Sequence, residues 1–346
     1  MELDRGTLFG RRGWRQWVFT AAVLTGAVLM AGCAGDPGRG PGRGSRGSAE
    51  LGAGQGAASR EDRPLVVTTI FPYYDFVRQV AGDRVRLKLI VPAGMDSHSF
   101  EPTPGDMIAM EKADVLICNG GEMEQWVQQV LDSLDTSHMR ILTMMDYVEV
   151  SEEEQVEGME DVSHQKEERE PEYDEHIWTS PVKAQEIVTL ISRTLSEVSP
   201  ENRQFFQRGR DTYLGELKKL DEELHQVVDQ GRNRMILVAD KFPFRYFADE
   251  YGLSYRAAFS GCSTDTEPSA KTIAYLIDRV REKKIGAVYY LELSSPRTAE
   301  IIYEETGAVP LLLHSCHNVT RKQFEEGVTY LQLMKGNVER LRKGLE

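Results

Sequence analysis

Seven histidines occur in the chain, at positions 98, 138, 164, 176, 225, 314 and 317, and three of them stand where ligands gather. His98 lies in Pro92-Ala93-Gly94-Met95-Asp96-Ser97-His98-Ser99-Phe100-Glu101-Pro102, just beyond a strand-like run and ahead of a helix that Pro104 would open. His176 lies in Glu175-His176-Ile177-Trp178-Thr179-Ser180-Pro181, again ahead of a helix, and His314 closes the apolar run Leu311-Leu312-Leu313. Imidazole suits zinc and similar divalent ions, and three or four ligands close a tetrahedral site. Taken singly, each of these histidines is more often a hydrogen-bonded structural residue. Their shared position at strand ends is what joins them.

The elements that must position them follow from hydropathy. Leu65 to Ile70, Val85 to Val91, Val115 to Cys118 and Ile141-Leu142 have strand length, and they alternate with helix-like segments such as Asp75 to Val80 and Glu122 to Leu134. A second set runs through Met235 to Val238, Tyr255 to Phe259, Ala287 to Leu291 and Pro310 to Leu313, with helical stretches at Ala270 to Glu282, Thr298 to Glu305 and Phe324 to Leu345. The expected fold is therefore α/β, with two α/β lobes each on its own core. Between the lobes, Phe206, Tyr213, Leu217, Leu220, Leu224 and Val227 recur at helical spacing and predict one long amphipathic helix over 200–230. At about 1.5 Å per residue it would run roughly 40 Å, enough to join the lobes as a stiff backbone. Three heptads also fit that stretch, so an exposed coiled-coil face is the alternative. Ligands of open α/β sheets bind beyond the C-terminal ends of the strands, so all three histidines can face one cleft.

The N-terminus sets the compartment. Arg5, Arg11, Arg12 and Arg15 precede an apolar run from Trp17 to Met30 that ends in Ala31-Gly32-Cys33, the pattern of an export signal. The run is shorter than the roughly 20 apolar residues a membrane-spanning helix needs. Leu29 to Cys33 resembles a bacterial lipobox, with Met30 in place of the more usual leucine, and cleavage would leave a lipidated Cys33 as the new N-terminus. Residues 34–63 are built of Gly, Ser, Ala, Pro and Arg and read as a flexible tether. A formal net charge of -14 argues against a nucleic-acid surface, which needs a basic face. The segment 151–175, crowded with Glu and Asp around His164, reads as a solvated loop. Of the four cysteines, Cys33 is taken by lipid and Cys118 sits inside an apolar strand. Cys262 and Cys316 both follow strand ends and are the expected disulfide in an oxidising compartment.

Five blocks carry a family resemblance that covers essentially all of Pro64 to Glu346. They are Gly94 through Pro102, Gly120 through Trp126, His176-Ile177-Trp178 with Pro181, Phe244 through Ala248 with Tyr251-Gly252-Leu253, and Glu267-Pro268-Ser269. In that order they resemble the zinc- and manganese-binding proteins of ABC importers. The resemblance implies two lobes bridged by a rigid helix, a metal ion held in the cleft between them, and delivery to an ABC permease in the membrane. Carried over by position, the first two ligands fall on His98 and His176. Where the family has His or Glu this chain has Lys241, whose charge repels a dication, so the neighbouring Asp240 is the candidate oxygen ligand. The fourth position falls on His314, with His317 as the less favoured substitute.

The expected organisation is a signal peptide over 1–33, a tether over 34–63, an N-terminal lobe over 64–199, a linking helix over 200–230 and a C-terminal lobe over 231–346. The expected function is the extracytoplasmic, lipid-anchored and monomeric capture of zinc, with manganese as the second choice, for an ABC importer. Two other classes remain: a zinc-dependent hydrolase, for which no His-Glu-x-x-His helix or Gly-x-Ser-x-Gly elbow is found, and a metal-binding adhesin that shares the fold.

Overall fold

The computed structural model describes residues 62–160, 172–261, 263 and 267–346. The export signal, Cys33, the tether up to residue 61, His164 and Cys262 lie outside the described residues.

The first four apolar runs form β1 (Leu65–Thr68), β2 (Arg86–Leu89), β3 (Val115–Cys118) and β4 (Arg140–Thr143), a parallel sheet in the order β2-β1-β3-β4. The second set forms β5 (Met235–Val238), β6 (Ser254–Ala257), β7 (Ala287–Tyr290) and β8 (Val309–Leu312), a parallel sheet in the equivalent order β6-β5-β7-β8. Parallel neighbours cannot be joined by a tight turn, and helices supply most of the crossovers. These are α1 (Phe71–Ala81), α2 (Pro104–Glu111) and α3 (Gln125–Leu131) in the first lobe, and α6 (Arg245–Tyr251), α7 (Ala270–Lys283) and α8 (Arg297–Thr306) in the second. Both sheets reverse their winding beside the first strand of the set, between β1 and β3 and between β5 and β7, so each opens a crevice at its C-terminal edge.

Two helices, α4 (Pro181–Val198) and α5 (Arg203–Gln230), connect the lobes, and the chain closes with α9 (Arg321–Glu325) and α10 (Tyr330–Leu345). The helix expected from residue 324 to 345 is broken. Gly327 turns left-handed at φ 72°, and Thr329 restarts the helix by accepting the Gln332 N–H while its own N–H meets the Gln332 side chain. The periodic residues of α5 are buried, which removes the exposed coiled-coil alternative; they pack against α1, α4 and α10.

Each sheet sorts its side chains by the two-residue period of a strand. Val66, Val115, Ile117 and Leu142 face one way and Val67, Leu116 and Cys118 the other. In the second sheet Ile236, Val238 and Tyr289 oppose Leu237 and Val288. The inward faces of both sheets meet the central helices in one continuous core, so the expectation of two separate cores is corrected: each sheet has a small outer core of its own, and the lobes share the large one. The sharing comes from α4, α5 and α10, whose apolar stripes serve both sheets.

Gly209 sets how closely α5 approaches α1. A Cβ there would lie 2.3 Å from the Val80 carbonyl oxygen, a backbone atom that cannot swing aside. Alanine in a helix ordinarily gains about 1 kcal/mol over glycine, while overpacking costs about 1–3 kcal/mol and more when backbone must move. The steric effect is the larger, so Gly209→Ala is expected to lower the denaturant midpoint; a raised midpoint would mean that the helices part freely.

The described parts of the acidic segment are irregular and have partners in the C-terminal lobe. In its described parts Glu154 pairs with Arg245 and accepts from the Tyr255 hydroxyl at 3.0 Å. The Glu160 N–H donates to Ala258 O at 2.8 Å, and Glu152 bridges Tyr173 in antiparallel fashion. The basic and phenolic groups of the C-terminal lobe supply partners that charge content alone does not show.

Candidate metal centre

The loop after β2 turns at Gly94, φ 86°, and enters a short helical turn, Ser97–Ser99, capped by Asp96, whose carboxylate accepts the His98 N–H at 3.0 Å. His98 is thereby set half-buried at the edge of the first sheet. Burial above all, with the charges of His176 and Lys241, lowers its pKa to about 4 against the pull of Asp96, so the ring is neutral and its lone pair is free near neutral pH.

His176 precedes α4, which Ser180 caps by accepting the Lys183 N–H. The His176 ring is buried, and its Nδ1 lies 3.3 Å from the Asp174 carboxylate, which also accepts the His176 backbone N–H at 2.8 Å. An Nδ1–H donated to a carboxylate leaves Nε2 as the free nitrogen, the carboxylate–histidine arrangement of metal ligands. Burial pushes the pKa of this ring down, but Asp174, with Glu175 behind it, pulls it above the ordinary value. From the other lobe Gly261 closes against the pair: a Cβ there would stand 3.2 Å from both His176 Cε1 and Asp174 Oδ2.

The third imidazole is His317. Its ring centre lies 6.2 Å from that of His98 and 6.2 Å from that of His176, edge to face with each, and it tilts over Trp178 at 5.4 Å. Its Nε2 is 2.7 Å from Ser97 Oγ. Burial, then the charges of His176, His98 and Lys241, hold its pKa well down, so this ring too is neutral. Three imidazoles on one zinc at about 2.0–2.1 Å would place their ring centres about 5 Å apart, so His317 has about 1 Å to close on each of His98 and His176.

His314 is not in this group. Its Nδ1 accepts the Cys316 N–H at 3.0 Å and lies 3.4 Å from Glu292, while its backbone N–H and carbonyl are both held by the Asn337 side chain. The ring is buried away from the cleft, and its Nε2 has no partner among the described residues. The reason is the backbone: Cys316 adopts φ 62°, and this left-handed residue turns the chain so that His317, not His314, returns to the cleft. Cys316 is a buried free thiol, so the expected Cys262–Cys316 disulfide is not met at its Cys316 end. Cys118 is likewise free, and burial pushes its thiol pKa upward.

Asp240 and Lys241, past the end of β5, line the same cleft of about 420 Å³, and Glu292, past the end of β7, lines it too. The Asp240 carboxylate accepts the Lys241 N–H at 2.8 Å, and burial raises its pKa. Glu292 accepts the Ser315 N–H at 2.8 Å and the Ser315 hydroxyl. Sequence reasoning passed over Glu292; its place one residue beyond the apolar run Ala287 to Leu291 was the available signal.

The Gly120 to Trp126 block supports His176 from below. Gly120 and Gly121 adopt φ 89° and 79°, and the N–H groups they expose are met by two carboxylates. Glu124 accepts from Asn119 N at 2.6 Å and Gly120 N at 3.1 Å, while Glu175 accepts from Met123 N at 2.9 Å and from Glu122 N. Burial is the first cause that raises both carboxyl groups to about 7, and it outweighs these bonds. A carboxyl raised from 4.5 stabilises the fold fully below the unfolded value and loses that contribution as pH rises through about 7. Glu124→Gln is therefore expected to make the unfolding midpoint of the metal-free protein fall less, or rise more, between about pH 5 and pH 7 than in the wild type, on top of the contributions of Glu175 and the histidines, which both proteins share. An unchanged profile would place the ionisation of Glu124 elsewhere.

Comparison with known proteins bears on this arrangement. Residues 66–344 match the family described as ZnuA, zinc-uptake complex component A, periplasmic. The chain is 31% identical over 279 residues to the zinc-binding lipoprotein AdcA of Streptococcus pneumoniae, covering 80% of this chain and 55% of that one. It thus spans about half the length of that relative. It is 29% identical over 292 residues to the high-affinity zinc uptake system protein ZnuA of Bacillus subtilis, covering 84% of this chain and 90% of that one. Among solved structures, the Zn(II)-bound ZnuA-like domain of S. pneumoniae AdcA superposes with a TM-score of 0.67 at 28% identity, over 82% of this chain and 99% of that domain. A laminin-binding adhesin of Streptococcus agalactiae superposes with a TM-score of 0.69 at 25% identity, over 82% of this chain and all of that one, 100%.

Proposed function

Because the chain belongs to the family of zinc-uptake complex component A, we propose that it is the extracytoplasmic binding component of a metal ABC importer, capturing zinc between its lobes and passing it to a membrane permease. The observation that carries this reading is the convergence of His98 and His176 from one lobe and His317 from the other on a single cleft, with Asp174 behind His176. His98, His176 and His317 are the imidazole ligands, and one of the two cleft carboxylates, Asp240 or Glu292, completes the shell as His317 approaches the other two rings by about 1 Å. A shell of three imidazoles favours zinc over manganese, whose preference is for oxygen. Lys241 lines the same cleft, and its positive charge opposes a dication there. Anchoring by a lipid on Cys33 would keep the binding body at the membrane that holds the permease.

The test is a competition titration of the soluble body, residues 64–346, with zinc and manganese. Tight zinc binding at one ion per chain, with manganese much weaker, is expected. Preference for manganese, or no tight site, would overturn the reading. Zinc-dependent hydrolysis of a test ester or peptide, abolished by the same histidine substitutions that abolish binding, would move the protein into the enzyme class.

A further inference from the structure

We propose that Asn318 is a positioning residue that latches the His98 loop to the opposite lobe and so holds that imidazole within reach of the other two. The inference rests on the three-histidine reading above. His98 depends on its loop: among the described residues its ring has no hydrogen-bond partner, and its backbone is fixed only locally, through Asp96. The loop's other internal bonds are also short-range, Met95 N to Pro92 O at 3.1 Å and Phe100 N to Ser97 O at 3.3 Å. Nothing in these bonds sets the distance from His98 to the C-terminal lobe.

Asn318 does. It follows His317 directly, is 5% exposed, and its Nδ2 donates to Pro92 O at 3.0 Å and to Met95 O at 2.6 Å. Both amide hydrogens are thus spent on the loop that carries His98. The Val319 N–H donates to Asn318 Oδ1 at 2.7 Å, which fixes the amide so that its NH2 faces across the cleft. The bond between Ser97 and His317 Nε2 ties the same two loops a second time, but it uses a ring nitrogen of a ligand. The Asn318 bonds use none, and so they persist whichever nitrogen of His317 takes the metal. The carbonyls it meets belong to the exposed residues Pro92 and Met95, so water can take the place of a lost amide, whereas an aspartate here would set an anionic acceptor against two carbonyl oxygens.

The test compares Asn318→Ala and Asn318→Asp with the wild type. Zinc dissociation, followed with an excess of chelator, is expected to speed at least tenfold in both, more in Asn318→Asp. Amide hydrogen exchange in residues 95–100 of the metal-free protein is expected to rise, while the thermal midpoint moves little. Adding Asn318→Ala to His98→Ala should then cost little beyond His98→Ala alone, because the latch acts through that ring. Exchange in residues 95–100 that matches the wild type would overturn the latch whatever zinc does, and so would fully additive losses of affinity. A His98→Ala variant that binds zinc like the wild type would instead overturn the ligand assignment, and the exchange measurement would still decide the latch.

Discussion

His317→Ala is expected to lower zinc affinity by more than about 100-fold, the upper end of what loss of a mere supporting partner costs, while His314→Ala stays within about tenfold of the wild type. The two residues are three apart on one loop, and they separate cleanly in environment. His317 stands 6.2 Å, ring to ring, from each of His98 and His176, and burial and its charged neighbours keep it neutral, ready to donate a lone pair. On the proposed assignment, alanine there removes one of three imidazoles from a site with few ligands. His314 instead receives the Cys316 N–H and is buried beneath the loop, so its loss leaves that N–H without its partner and a cavity below the loop. That cost belongs to stability: His314→Ala should lower the unfolding midpoint far more than it lowers affinity. Zinc competition titration and thermal unfolding of both variants check the pair. Equal losses of affinity, or a larger loss at His314, would reverse the assignment.

If the proposed lipid anchor holds, Cys33→Ser is expected to abolish attachment to the membrane altogether, since a single sulfur would carry it. The sequence offers a basic stretch, an apolar run and Ala31-Gly32-Cys33, after which roughly thirty small and polar residues lead to the folded body. Among the described residues no helix is long and apolar enough to cross a membrane. Fractionation of cells expressing the variant should find it either in the soluble extracytoplasmic fraction or as an unprocessed, longer precursor. A variant cleaved at the usual site and still sedimenting with membranes would contradict the lipid anchor.

The parts of the structure that were legible in the sequence are those where one local pattern decides the outcome. Val115 to Cys118 reads as a strand because four consecutive apolar residues are buried on both faces of a parallel sheet. The α5 helix reads from Phe206 to Val227 because its stripe is long enough to leave no competing period. His98 and His176 read as cleft residues because each sits in a loop that leads into a capped helix. What was not legible depends on backbone angles or distant partners. The choice of His317 over His314 turns on the left-handed Cys316, a conformation that cysteine seldom adopts and that composition does not announce. The free thiol of Cys316 follows from the same turn, which sinks the side chain into the shared core. Glu292 was missed because a lone carboxylate after a strand looks like any other until Ser315 orients it. The partners of the acidic segment, Arg245 and Tyr255, were not legible because they stand roughly ninety to a hundred residues further along the chain.

The central claim is that one zinc ion binds between the lobes to His98, His176 and His317. A crystal structure of the zinc-loaded body with anomalous scattering recorded at the zinc edge tests it most directly. The account predicts one dominant peak in the cleft, about 2.0–2.1 Å from a nitrogen of each of these three rings, with an oxygen of Asp240 or Glu292 as the fourth neighbour. A peak bonded to His314, or a shell that leaves out His317, would contradict it.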